Sequence, residues 1–242
     1  MRYLLGIDDT DDRVSRGTGY RVRQLADHLV RVELARPLSI TRHQLFVSPE
    51  IPYTSHNSSA CMLLECDSGQ TETLWESAGE FLARVSASGA DAGLGLADQA
   101  GVRHEAESFG RRAKRAVLTQ AEAQGVASES NIRLIGLTGT GGGIIGALAA
   151  IGLRASGEDG RFLWLPGLRE LQGKRPAAEI RATGHVDRIC TLNGQDLYPE
   201  TLIEVGEWAR PVLRGGLATL YVEEHNHEWH ILSKDRIKDL SS

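Results

Sequence analysis

The first apolar run, Tyr3-Leu4-Leu5-Gly6-Ile7, has no polar interruption and stops at Asp8-Asp9. A short run of this kind bounded by charge predicts a buried strand. Between Tyr20 and Glu33 the apolar residues Val22, Leu25, Ala26, Leu29 and Val30 recur at helical spacing with charge between them, which predicts an amphipathic helix. Strands are predicted over residues 38–47 and 60–65, joined by a polar connection containing Pro49 and Pro52, residues that pair poorly in sheets. Helical periodicity returns over 73–86 and 107–124, and the small residues between, Ser88 to Gly95, predict a second loop facing a site. Residues 131–137 read as a strand, 138–143 as a glycine loop and 144–151 as an Ala-rich helix apolar on every side, one that must be buried nearly all round.

Beyond Gly152 the pattern changes to short strands near 161–165, 185–192, 218–223 and 228–232, broken by Pro166-Gly167 and Gly215-Gly216. A boundary is therefore expected near 154–159, and two modest domains suit a chain of 242 residues. The 41% hydrophobic and 24% charged residues describe a folded globular protein. The early acidic turn and the lack of a long apolar run predict a cytoplasmic protein with no signal peptide or membrane span. Three cysteines, Cys61, Cys66 and Cys190, form no paired Cys-x-x-Cys pattern, which argues against a zinc ribbon or disulfide framework. The net charge of -5 offers no chain-wide attraction for a phosphate backbone.

Chemistry concentrates at two places. Asp8, Asp9, Asp11 and Asp12 follow the first strand directly, where open α/β sheets place their ligand crevice. Four clustered carboxylates repel one another unless a cation or hydrogen bonds compensate, and hard oxygen ligands suit magnesium; the other reading is an acidic surface turn. Thr138-Gly139-Thr140-Gly141-Gly142-Gly143 precedes a helix and can present backbone amides to an anion, although it matches neither the P-loop nor the dinucleotide fingerprint; tight packing is the alternative. Thr10 and Thr18 add hydroxyls near the carboxylates. His225 and His227 would share a face on a strand, but a surface hairpin is the preferred reading. His56 with Asn57 is a further site candidate, and the run Arg111, Arg112, Lys114 and Arg115 reads as an RNA-facing patch or a solvated helix face.

Gly6-Ile7-Asp8-Asp9-Thr10-Asp11 followed by Arg16-Gly17 resembles the opening of the archaeal tRNA-isoleucine agmatinylcytidine synthetase (TiaS) family. Ile51-Pro52-Tyr53, Asp91-Ala92-Gly93, Gly143-Ile144-Ile145-Gly146-Ala147-Leu148-Ala149-Ala150, Leu197-Tyr198-Pro199 and Pro211-Val212-Leu213 resemble its blocks in the same order. The resemblance implies an α+β or α/β chain with a kinase-like ATP-binding domain over 1–155 and a ferredoxin-like domain over 156–242. It implies ATP and Mg2+ as cofactors, with Asp8, Asp9 and Asp11 as metal ligands and catalytic residues. Thr18 joins them as a catalytic residue, and Thr10, Gly17, Asn57, Gly139, Gly141, Gly142 and Gly143 are assigned to the nucleotide.

Three departures qualify what is carried over. The family's threonine position is matched by Tyr20, so threonine chemistry requires Thr18 to substitute. Pro211 to Gly216 lacks the ending of the family's amine-domain motif, which leaves the amine open. The chain also resembles a short form without the family's nucleic-acid-binding module and zinc ribbon, from which tRNA modification without a partner protein is not expected. The resulting expectation is a Mg-dependent enzyme that uses ATP to phosphorylate or ligate a small acceptor, activating it for coupling to an amine. The alternatives are a nucleotide-binding regulator with reduced catalysis and an RNA-modification subunit that borrows its RNA-binding surface.

Overall fold

The structure is a computed structural model that describes residues 1–51, 57–206 and 208–240. The chain divides into two compact units, Met1–Ser156 and Gly157–Ser242. In the first, β1 (Arg2–Asp8), α1 (Thr18–Arg31), β2 (Arg36–Gln44), β3 (Ser58–Glu65), α2 (Thr71–Val85) and β4 (Gly93–Asp98) are followed by α3 (His104–Ala113), α4 (Gln120–Glu129), β5 (Arg133–Gly136) and α5 (Ile144–Ala155). The strands lie in the order β5-β4-β1-β3-β2, and each of these neighbouring pairs is antiparallel. The crevice of an open parallel sheet is therefore not what positions Asp8. Antiparallel pairing does this instead, since the end of one strand lies beside the start of the next. Asp8 pairs with Gly93 and Gly93 with Gly136, so the acidic loop, the segment before β4 and the glycine loop all leave the sheet from one row.

β1 is buried on both faces over Tyr3–Ile7. On one face lies α5, buried at Ile144 and continuously over Gly146–Leu153, and α3 packs on α5 in turn. On α1, the His28 ring stacks on Phe81 of α2 with centroids 4.8 Å apart. Around α5 several contacts are backbone against backbone. A Cβ on Gly6 would overlap the carbonyl of Ala147, one on Gly93 would overlap Gly143, and one on Gly152 would overlap the carbonyl of Ala106 in α3.

Two expectations change here. The predicted helix over 107–124 is two helices, because Thr119 begins a capping box: its hydroxyl accepts the Glu122 N–H while Glu122 accepts the Thr119 N–H. The predicted loop over 88–95 holds the start of β4, whose glycines suit the close approach of α5 rather than a turn.

The second unit runs β6 (Arg161–Trp164), β7 (Lys174–Pro176), α6 (Ala177–Gly184), β8 (Arg188–Cys190), β9 (Leu202–Glu204), β10 (Val212–Arg214), β11 (Leu217–His225), β12 (Glu228–Ile231) and α7 (Lys234–Leu240). Its strands follow the order β6-β10-β11-β12-β9-β7, and β8 pairs with β11 in parallel. Its core gathers Phe162, Ile180, Ile189, Ile203, Leu213 and Leu220. β11 and β12 form the expected hairpin. Asn226 and His227, at φ 51° and 64°, make its two-residue turn, so His227 stands outside the strand and shares no face with His225.

Helix glycines with opposite surroundings give a test. Gly125 in α4 has open space where a Cβ would be, and Gly152 has none. Gly125→Ala is expected to raise the unfolding free energy by up to about 1 kcal/mol through helix propensity, and Gly152→Ala to lower it by about 1–3 kcal/mol through overpacking. Urea denaturation checks both; equal effects would contradict the packing described.

Candidate functional site

At the row where the three loops leave the sheet lies a cleft of about 320 Å³. Asp8, Asp9, Asp11 and Thr18 line it on one side and Asp91, Thr140, Gly142, Gly143 and Gly146 on another, with Asn57, Glu50 and the apolar residues Leu45, Val117, Leu118 and Ile145 closing it. Among the described residues no Lys, Arg or His lines it.

Asp8 is pressed against α5: a Cβ on Gly146 would overlap its Oδ2. Burial, then the charges of Asp9 and Asp11, push its carboxyl up to about 8, although a hydrogen bond from the Asp9 backbone opposes this. Asp9 stands at φ 52°, a left-handed conformation that Asp tolerates better than most residues. Burial and the neighbouring charges of Asp91 and Asp11 push its carboxyl up to about 6, against a hydrogen bond from the Asp91 backbone.

Asp11 faces the start of α1. Its Oδ1 accepts the Thr18 N–H at 2.9 Å and the Thr18 hydroxyl at 2.8 Å, and the buried Thr10 hydroxyl lies 3.1 Å from Thr18 Oγ1. Thr18 thus reaches the cleft and Thr10 supports it from beneath. Gly17 caps α1 from outside the cleft. Tyr20 does not line the cleft; its ring sits among Arg16, Arg21 and Arg23, with guanidinium carbons 4.8 to 5.9 Å from its centroid. Of the two residues weighed for threonine chemistry, Thr18 is the one at the site. Asp12 turns away and accepts Val14 and Ser15 N–H bonds, which hold its carboxyl below the usual range.

Asp8, Asp9 and Asp11, the expected metal ligands, all line the cleft. Among the described residues no three His, Cys, Asp or Glu side chains form a group that could hold a metal ion. Asp11 is engaged by Thr18, which leaves Asp8 and Asp9 as the desolvated pair.

The glycine run also differs from the expected cradle. Thr140, Gly142 and Gly143 face the cleft, whereas Gly139 and Gly141 line a separate shallow depression with Gln120 and Gln124. Three amides are already committed, since Gly141 N–H donates to Thr138 O at 3.0 Å, Gly143 N–H to Asp91 O at 2.8 Å and Thr140 N–H to Asp91 Oδ1 at 2.5 Å. Asn57 lines the cleft while its Nδ2 donates to Phe46 O at 2.6 Å, closing the β2–β3 connection. His56, Pro52 and Tyr53 lie outside the described residues. Arg111 and Arg112 are held by Glu107 and Glu122, as on a solvated helix face.

Asp91 and Gly146 were not singled out by sequence as site residues. Asp91 sits within a run of small residues and Gly146 within an apolar helix; the contact of Gly146 with the Asp8 carboxylate and the pairing of Asp8 with Gly93 bring both to the cleft.

The carboxyls of Asp8 and Asp9 set a pH dependence. Both are raised above the ordinary carboxylate range, so the folded chain holds protons that the unfolded chain releases. Their contribution to stability is fully present below about pH 4 and is lost as the pH rises through about 6 and about 8. In buffer free of divalent cations, Asp8→Asn should flatten the fall in stability between these values; an unchanged slope would show that Asp8 is not desolvated.

No family model matches the chain. It is 32% identical over 154 residues, 63% of its length, to the tRNA 2-agmatinylcytidine synthetase TiaS of Pyrobaculum neutrophilum, of which it covers 35%. Its fold matches that of apo TiaS, a tRNA agmatidine synthetase, with a TM-score of 0.54 and 27% identity over 63% of this chain and 35% of that one. A complex of TiaS with tRNA and ATP matches with the same TM-score and identity over 63% and 36% of the two chains. The chain thus spans about a third of the length of the TiaS proteins it matches. No helix among the described residues is long and apolar enough to cross a membrane. By sequence and by mixed α/β fold, the chain is TiaS-like over 63% of its length.

Proposed function

We propose that the chain is an ATP-dependent enzyme whose first unit binds Mg·ATP in this cleft and activates an acceptor for coupling to an amine. The observation that carries the reading is the desolvated pair Asp8 and Asp9 opposite the glycine loop, in a chain similar to proteins whose structures hold ATP. Magnesium is compatible with this donor set, because it needs only one or two carboxylates when nucleotide phosphates and water supply the remaining ligands. Asp8 and Asp9 would hold it, and once bound it would neutralise charge on the phosphates.

The chain's own groups supply the positioning. Thr18 presents a hydroxyl already hydrogen-bonded to Asp11, a carboxylate able to receive its proton. The apolar wall of Leu45, Val117, Leu118 and Ile145 suits a nucleobase and limits water. The first unit is then a kinase-like ATP-binding domain and the second a ferredoxin-like one. Acidic net charge does not support leaving RNA out as a partner, since the related TiaS structures include complexes with tRNA. RNA therefore stands beside a small molecule as the acceptor, and an amine as the second substrate, agmatine being present in one related complex.

Incubation with ATP, Mg2+ and an amine, with products resolved chromatographically, tests the reading. Asp9→Asn is expected to lower nucleotide cleavage by about 100-fold or more, the scale of losing an electrostatic catalytic group. Thr18→Val should retain ATP binding while product formation falls. A wild-type chain that binds no Mg·ATP by calorimetry would sink the proposal.

A further inference from the structure

The glycine loop already holds an anion, and that anion is part of the chain. Asp91 Oδ1 accepts the Thr140 N–H at 2.5 Å, and a Cβ on Gly139 would overlap the same oxygen. The segment bearing Asp91 is clasped on both sides. Thr138 Oγ1 donates to Ala90 O at 2.6 Å and accepts the Ala92 N–H at 2.9 Å, while Asp91 O and Ala92 O accept the N–H groups of Gly143 and Leu137. Thus the carboxylate lies against Gly139, Thr140 and Gly142 and takes the Thr140 N–H that a phosphate oxygen would otherwise meet.

The described lining contains Asp8, Asp9, Asp11, Glu50 and Asp91 and no basic side chain. A phosphate entering alone must displace a carboxylate from its hydrogen bond and then sit among like charges. A phosphate that carries a divalent cation meets the same carboxylates as attraction.

Resting on the reading of this cleft as a nucleotide site, we infer that Asp91 is a specificity-determining residue: its carboxylate competes for the glycine loop and excludes nucleotide that arrives without a divalent cation. Asp91 then serves as an internal competitor rather than a metal ligand.

The test is calorimetric titration of the whole chain with ATP, once in Mg2+ and once in chelator, for wild type, Asp91→Asn and Asp91→Ser. Asparagine retains an oxygen for Thr140 N–H and removes the charge; serine removes the charge with a shorter side chain, which covers the case in which asparagine fails to fold. Both variants are expected to bind metal-free ATP about tenfold tighter or more, as removal of a close like charge requires, with Mg·ATP affinity changed far less. Unchanged or weaker binding of metal-free ATP in the variants overturns the inference. So does a selective loss of Mg·ATP affinity, which would make Asp91 a metal ligand. If wild type binds Mg·ATP but the variants gain nothing for metal-free ATP, the nucleotide reading survives and this inference alone fails; if wild type binds neither form, both fall.

Discussion

Helix α5 lies so close to the strands beneath it that no side chain fits at the points of contact, and the rest of the first unit depends on that approach. Gly6 of β1 meets the backbone of Ala147, Gly93 of β4 meets Gly143, and Gly146 leaves room for the Asp8 carboxylate. Each residue would collide if it carried a Cβ. Because Gly143 caps α5 and Gly93 pairs with Asp8, the packing that buries the helix also sets its N-terminal turn beside the acidic loop. Folding and the shape of the cleft are thus one constraint, and a side chain added to stabilise the helix would close the site.

That arrangement leaves an electrostatic imbalance. Asp8 and Asp9 are half-buried, close to each other and to Asp11 and Asp91, with no basic residue in the described lining of the cleft. Buried like charges destabilise a fold unless something neutralises them, and proteins keep such groups where a ligand or proton does so. The hydrogen bonds show how the load is distributed: Asp11 is satisfied by Thr18, Asp12 by its own turn and Asp91 by the glycine loop, which leaves the Asp8 and Asp9 pair poorly compensated.

Local pattern made part of this legible. The continuous run at Tyr3 to Ile7, the periodicity over 20–33 and the apolar helix after Gly143 each predict the element found. The helix break before Thr119 was also available, since Thr119-Gln120-Ala121-Glu122 has the form of a capping box within a longer periodic stretch. Gly93 and Gly95 were not legible as strand residues, because what requires glycine there is a helix some fifty residues later in the chain. Asp91 lies in the segment 88–95 expected to face a site, but its bond from the Thr140 N–H is a contact nearly fifty residues away along the chain that no local pattern reveals. The glycine loop reads from sequence equally as an anion cradle or as tight packing, because the amide commitments of Thr140, Gly141 and Gly143 are tertiary facts.

The most direct test of the central claim is diffraction from crystals of this chain grown with Mg2+ and a non-hydrolysable ATP analogue. The account predicts nucleotide phosphates between the Asp8–Asp9 turn and the Thr140–Gly143 segment, with the cation on Asp8 and Asp9. Nucleotide bound elsewhere, or a cleft occupied without any cation near those two carboxylates, would contradict it.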